Sequence, residues 1–132
     1  MLNPLVPGEP SVAECLEKTT PRYTFTITDD ELNPLPAASL TTLTLTLYVI
    51  NADGTVTILN SRNAQNVLNA NNVTISAQGL GVWSVQVLDT TMVVATLPFE
   101  TRIALWQWTW SAGAKAGKHE LNLVVKNLSQ VS

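Results

Sequence analysis

Residues 101–127 constrain the fold more than any other stretch of this 132-residue chain. They read TRIALWQWTW, then SAGAKAG, then KHELNLVVKN. Two alternating runs around a glycine-containing loop predict a β-hairpin. Side chains along a strand point to opposite faces in turn, so Trp106, Trp108 and Trp110 share one face and Ile103 and Leu105 the other. In the return run Leu121, Leu123 and Val125 share a face, opposed by Glu120, Asn122 and Lys126, with Val124 among them. Placing Trp110 opposite Lys118 pairs Leu105 with Leu123 and Ile103 with Val125. It also sets Trp108 against Glu120 and Trp106 against Asn122. In that register the aliphatic side is the expected core. The tryptophan side is a large apolar surface with polar neighbours, and a ribbon apolar on both surfaces needs cover on both.

The rest of the chain repeats the period of two. Tyr23, Phe25 and Ile27 alternate with Arg22, Thr24, Thr26 and Thr28 over residues 21–28. Leu43, Leu45, Leu47 and Val49 alternate with Thr42, Thr44, Thr46 and Tyr48, where threonine keeps strand propensity high and presents hydroxyls outward. Asn51-Ala-Asp53-Gly54 predicts a turn into a partner strand at 55–59. Ala64, Val67 and Leu68 fall at helical spacing after Ser61, which predicts one or two helical turns over 60–71, crossing between sheets. Short strands are expected at 73–76 and 80–88, the second holding Trp83, and a capped single turn begins at Asp89. The sum is an all-β chain: an antiparallel β-sandwich of about seven strands and immunoglobulin-like size, with a short helical crossover. The Cys…Trp…Cys spacing of antibody domains is absent.

Two regions divide the chain, an extended N-terminal arm at 1–20 and a sandwich domain at 21–132. Pro4, Pro7 and Pro10 favour extended backbone in the arm. Ser11 and Glu14 have the spacing to cap one helical turn anchored by Cys15 and Leu16. The arm is either a disordered terminus or a segment that orders against a neighbouring subunit, with Pro4, Val6 and Pro7 as its contact residues.

Charged residues are 13% of the chain, about half the usual share, so neutral polar groups must cover the surface. The net charge of −3 carries no basic footprint and argues against nucleic acid. A single cysteine, Cys15, cannot form an internal disulfide. No apolar run approaches the roughly 20 residues that span a bilayer, and MLNPLVPGEP lacks the basic head and long apolar stretch of a signal peptide. Neither membrane nor cofactor is expected. His119 is the only histidine, read as a surface or strand-edge residue without metal or catalytic partners. Cys15 is read as a small buried apolar residue. Asp29, Asp30 and Glu31 are read as a solvated turn, because no spaced set of oxygen ligands follows them. No phosphate loop is present around Gly113 and Gly117.

Three readings are open for Trp106, Trp108 and Trp110. They form the sandwich core, with the aliphatic face covered by the arm or the 60–71 crossover. They form a subunit interface, where indoles contribute large areas with few rotatable bonds. Or they form a platform on which sugar rings of host glycans stack, as in a carbohydrate-binding module.

The runs TTLTLTLYVINADGTVTILNSRNAQNVLNANNVTI, GLGVWSV and ETRIALWQWTWSAGAKAGKHELNLVVKNLSQV resemble the small immunoglobulin-like virion modules of tailed bacteriophages. In such modules a Leu/Thr strand leads to a D-G turn, an N-x-R…VLN connector follows, and a Gly-Lys-His loop precedes the last strand. The likeness covers residues 21–130. It implies a non-enzymatic structural role in the virion, as capsid decoration, neck or tail component. It also implies symmetric copies bound to other virion proteins, without cofactor, nucleic acid or membrane. The extended arm agrees with virion proteins that clasp their neighbours.

Overall fold

The computed structural model describes residues 4–5, 11–94 and 96–127. In chain order its strands are β1 (Pro4–Leu5), β2 (Ser11–Leu16), β3 (Arg22–Ile27), β4 (Leu40–Ile50), β5 (Val56–Ile58), β6 (Gln65–Asn66), β7 (Val73–Ile75), β8 (Leu80–Ser84), β9 (Phe99–Trp110) and β10 (Lys115–Lys126). One helical turn, α1 (Val87–Thr90), lies between β8 and β9. The strands form two sheets. One has the order β1-β3-β8-β7; the other has the order β2-β10-β9-β4-β5, with β6 also on β4. All pairings are antiparallel except β1 on β3 and β2 on β10. The chain is the all-β sandwich its alternation predicts.

The core lies where the two sheets face each other. Leu43, Leu45 and Leu47 of β4 stand opposite Trp108, Trp106 and Ala104 of β9, all fully buried. From the other sheet Phe25 and Trp83 close on Trp106, with ring centroids 5.0 and 5.5 Å away and the two indoles edge to face. Trp108 donates its indole N–H to the Thr28 carbonyl at 3.3 Å. Indoles bury about 200 Å² each, so each contributes on the order of 5 kcal/mol of apolar transfer.

Four local expectations are corrected. First, Trp110 pairs with Lys115, not Lys118, so the β9–β10 register differs from the expected one by three positions (118 against 115). An odd slip exchanges faces. The indoles therefore share the inner side with Leu121, Leu123 and Val125, and Ile103 and Leu105 turn outward. The tight link is only 111–114, where Ser111, Ala112 and Gly113 adopt left-handed backbone. Gly117, expected in the loop, sits inside β10 opposite Trp108 because the indole lies directly on it; a Cβ there would come within 2.7 Å of the ring.

Second, residues 60–71 form no helix. Asn60, Ser61, Ala64, Asn69 and Asn71 have positive φ, conformations open to Asn-rich turns, and Gln65–Asn66 pairs with β4. Third, the 80–88 strand ends at Ser84, and Asp89 is the third residue of α1 rather than its cap; its carboxylate accepts the Gln86 N–H at 2.9 Å. Fourth, Ser11–Leu16 is a strand in register with Leu121–Lys126, not a helical turn, because Ala13 and Cys15 can then pack against the core.

Both close glycine contacts are testable. A Cβ at Gly81 would lie 2.3 Å from the Phe25 ring, as the one at Gly117 would meet Trp108. Gly81→Ala and Gly117→Ala should each lower stability by about 1–3 kcal/mol through overpacking, read from the midpoint of urea unfolding.

Candidate interaction surface

Trp106 and Trp108 are interior side chains, 0% and 1% exposed, and so offer no surface to a partner or a sugar ring. Trp110 is half-buried at the core margin. Of the arm residues singled out, Pro4 begins β1, paired with Thr26, while Val6 and Pro7 lie outside the described residues. His119, expected at the surface, is 3% exposed opposite Trp106, because its place in β10 puts it on the inner face with Leu121, Leu123 and Val125.

The surface with unburied apolar area is the outer face of the larger sheet. Its register lines up rows across the strands. One row runs Val12, Asn122, Ile103, Tyr48, Ile58. The next holds Glu14, Val124 and Thr101, with Ile50 and Val56 paired on the far strands. The third holds Leu16, Lys126 and Phe99. Val12, Ile50, Val56 and Phe99 are each more than half exposed. A groove of about 520 Å³ continues this area between Ile50, Val94, Leu97 and Phe99. The two charges within these rows, Glu14 and Lys126, pair with each other at 3.1 Å.

The opposite end of the same face is polar. Thr42, Thr44, Gln107, Thr109 and Lys118 surround a shallow depression of about 340 Å³ over the backbone of Trp108 and Gly117. Thr42 and Thr109 share a hydroxyl hydrogen bond of 2.7 Å. Threonines that alternate with leucines in β4 thus line this end, while isoleucine, valine and phenylalanine line the other.

Beside the apolar end, two buried arginines hold the segment from α1 to β9. Arg62, 1% exposed, meets Asp89 in a forked pair, Nε to Oδ1 at 2.7 Å and Nη2 to Oδ2 at 3.1 Å. Asn60 and the Gln86 N–H complete the Asp89 carboxylate, and Gln65 and the Asn71 carbonyl accept from Arg62 Nη1. Arg102 donates to the Asp89 and Thr91 carbonyls and pairs with Glu100. Glu100 in turn accepts the N–H groups of Val93 and Val94 at 3.0 and 2.7 Å, which poses those exposed valines beside the groove. The sequence pattern marks Asp89 as a turn residue and Arg62 as part of the N-x-R connector, but points to no buried pairing for either. The only hint was arginine and aspartate in a chain that spends few charges, with partners 27 and 13 residues apart.

The groups considered for chemistry are otherwise engaged. Burial pushes the Cys15 thiol up, outweighing the Tyr23 hydroxyl and the Arg102 charge that act to lower it. The Tyr23 hydroxyl is likewise raised, chiefly by burial. Asp29 is held below the usual carboxylate range by the Asn33 and Glu31 backbone N–H groups, each 2.9 Å from Oδ1, and Lys115 neutralises Asp30 at 2.9 Å. Among the described residues no group of three or more His, Cys, Asp or Glu side chains converges as a metal site would require.

Asp89→Ala strands the Arg62 guanidinium in the interior and should cost about 3–5 kcal/mol in denaturant unfolding. A thiol raised above its ordinary value stays protonated longer as pH rises. Alkylation of Cys15 by iodoacetamide at pH 8 should therefore be slower in the folded protein than in denaturant, and the difference should narrow as pH climbs through the raised value.

A comparison with protein-family models and with curated proteins finds no match to this chain.

Proposed function

We propose that this chain is a non-enzymatic structural protein of a tailed-phage virion that binds neighbouring subunits through the apolar end of its outer sheet face. The observation that carries the reading is the exposure of Val12, Ile50, Val56 and Phe99 on one sheet face, where Glu14 and Lys126 pair with each other. Monomers seldom leave contiguous apolar area of this kind uncovered, and such surfaces are where partners dock. A rigid sandwich with a short supply of charge suits permanent packing among other proteins. The likeness of residues 21–130 to small virion modules supplies the setting. Within the particle we favour the capsid exterior or the head–tail neck, then the tail. The protein is made in the host cytoplasm and ends in the virion.

The arm enters this reading differently from the indoles. Its strand β2 is the edge of the larger sheet and supplies Val12 and Leu16 to the apolar end, so the N-terminal segment extends the contact surface. Stacking of host glycans on Trp106 and Trp108 would require the core to open, so the carbohydrate reading loses its platform.

Mass-spectrometric inventory of purified particles tests the proposal: the chain should be present in fixed stoichiometry with the other virion proteins, and its absence sinks the reading. Titration with host glycans should leave the tryptophan fluorescence without a saturable shift.

A further inference from the structure

We infer that the arm strand β2 exchanges between copies of this chain: Ser11–Leu16 of one copy seats beside β10 of a second copy, and the reverse. This inference stands apart from the virion reading. The occupant of the slot is already in the structure, because it is the chain's own β2.

The slot is specific to that strand. β2 runs parallel to β10, in register from Ser11 on Leu121 to Leu16 on Lys126, and is the last strand of its sheet. Ala13 and Cys15 pack against the core, and Glu14 between them pairs with Lys126 at 3.1 Å. The Tyr23 hydroxyl donates to the Glu14 carbonyl at 3.2 Å, and the Glu17 N–H to the Lys126 carbonyl at 2.9 Å. The gap thus takes two small inward side chains with an acid between them, a sequence that a second copy brings in the same register. Every one of these contacts re-forms across copies, which makes exchange of an identical element a low-cost route to a dimer. Release of β2 is also easy. Val12 and Leu16 are 66% and 39% exposed, so little apolar area holds the strand beyond its own ladder.

The hinge favours release. Residues 17–21 link β2 in the larger sheet to β3 in the smaller one. Folding β2 back onto its own body puts Lys18 at φ 56°, a left-handed conformation that strains a residue with a Cβ. Thr20 precedes Pro21, which biases it toward extended backbone. The bend is held by the Thr19 hydroxyl on the Leu16 carbonyl at 2.6 Å and the Lys18 N–H on the Thr90 carbonyl at 3.3 Å. Straightened, the hinge spans about 17 Å, which carries β2 off its own body and frees Lys18 from its left-handed backbone. A short hinge under strain invites exchange of this kind. Exchange competes with closure on the same body, whose effective concentration through a short link is on the order of 1 mM. Swapped dimers therefore form where copies are crowded.

Carbodiimide coupling of mixed isotopic batches tests this. Equal amounts of the full chain in ordinary and in heavy nitrogen are mixed at about 1 mM, held, and diluted about a thousandfold just before the reagent is added, so that chance encounters are not captured. The reagent joins the Glu14 carboxylate to the Lys126 amine as an amide and takes up the water removed; the ion pair already holds the two groups in contact. Mass spectrometry after proteolysis should find coupled Glu14 and Lys126 peptides with a different label on each half, and gel filtration should place them in a species of two chains. Lys18→Gly accepts the left-handed position and should lower the mixed-label share about fivefold, whereas Lys18→Val resists it and should raise that share. Coupled peptides that are missing, or whose two halves always carry the same label, overturn the inference. So does a mixed-label share that fails to move in opposite directions in the two Lys18 variants. Absence of the chain from purified particles would overturn the virion reading and leave this result standing.

Discussion

Trp106 is the point at which the two sheets are joined. It stands opposite Leu45 and His119 within its own sheet and receives Phe25 and Trp83 from the other. Once that indole is inside, parity decides the rest of β9. Trp108 and Ala104 must also face inward, and Ile103, Leu105 and Phe99 must face out. The same parity fixes β10 and β4 on either side, so the whole outer surface is a consequence of one buried ring. The arrangement carries a penalty. Among the described residues neither Trp83 Nε1 nor Trp106 Nε1 has a hydrogen-bond partner, a loss of about 1–3 kcal/mol each that the large apolar burial offsets.

The strand content was legible in the sequence because alternation is a local signal. Leu43 to Val49 against Thr42 to Tyr48 names both faces of β4 without reference to anything distant. Register is not local. Whether Trp106 meets Asn122 or His119 depends on where the 111–114 turn closes, and the glycines at 113 and 117 each look like a turn when read alone. Only the packing of Trp108 on Gly117 separates them. The slip inverted β9 against β10: the indoles joined Leu121, Leu123 and Val125 in the core, while Ile103 and Leu105 moved out beside Asn122 and Glu120. The underlying physical point, that this ribbon is apolar on both sides, survives the inversion.

Other misses have the same origin. Ala64, Val67 and Leu68 do fall at helical spacing, yet Arg62 draws Gln65 and Asn71 around itself and Val67 bonds to Leu43, an arrangement a helix would forbid. Asp89 has the composition of a cap but is claimed by an arginine 27 positions earlier. Buried ion pairs between distant residues leave no periodicity in a sequence. Replacing such a pair with apolar residues is often neutral or better for stability, so their value here lies in geometry: they tie Asp89, Thr91, Val93 and Val94 in place.

The pairing of β2 with β10 joins residues 11–16 to residues 121–126, almost the full length of the chain apart. A ribosome releases the first of these long before the last exists. The larger sheet therefore cannot take up β2 until β10 has been made, and Ala13 and Cys15 wait in an unpaired segment until then. Closure of so large a loop is slow compared with the collapse of the β3, β4 and β8 region. During that interval the free edge of β10 and the unfilled flank of the core are exposed together, so the nascent chain is most prone to stray pairing just before it finishes folding.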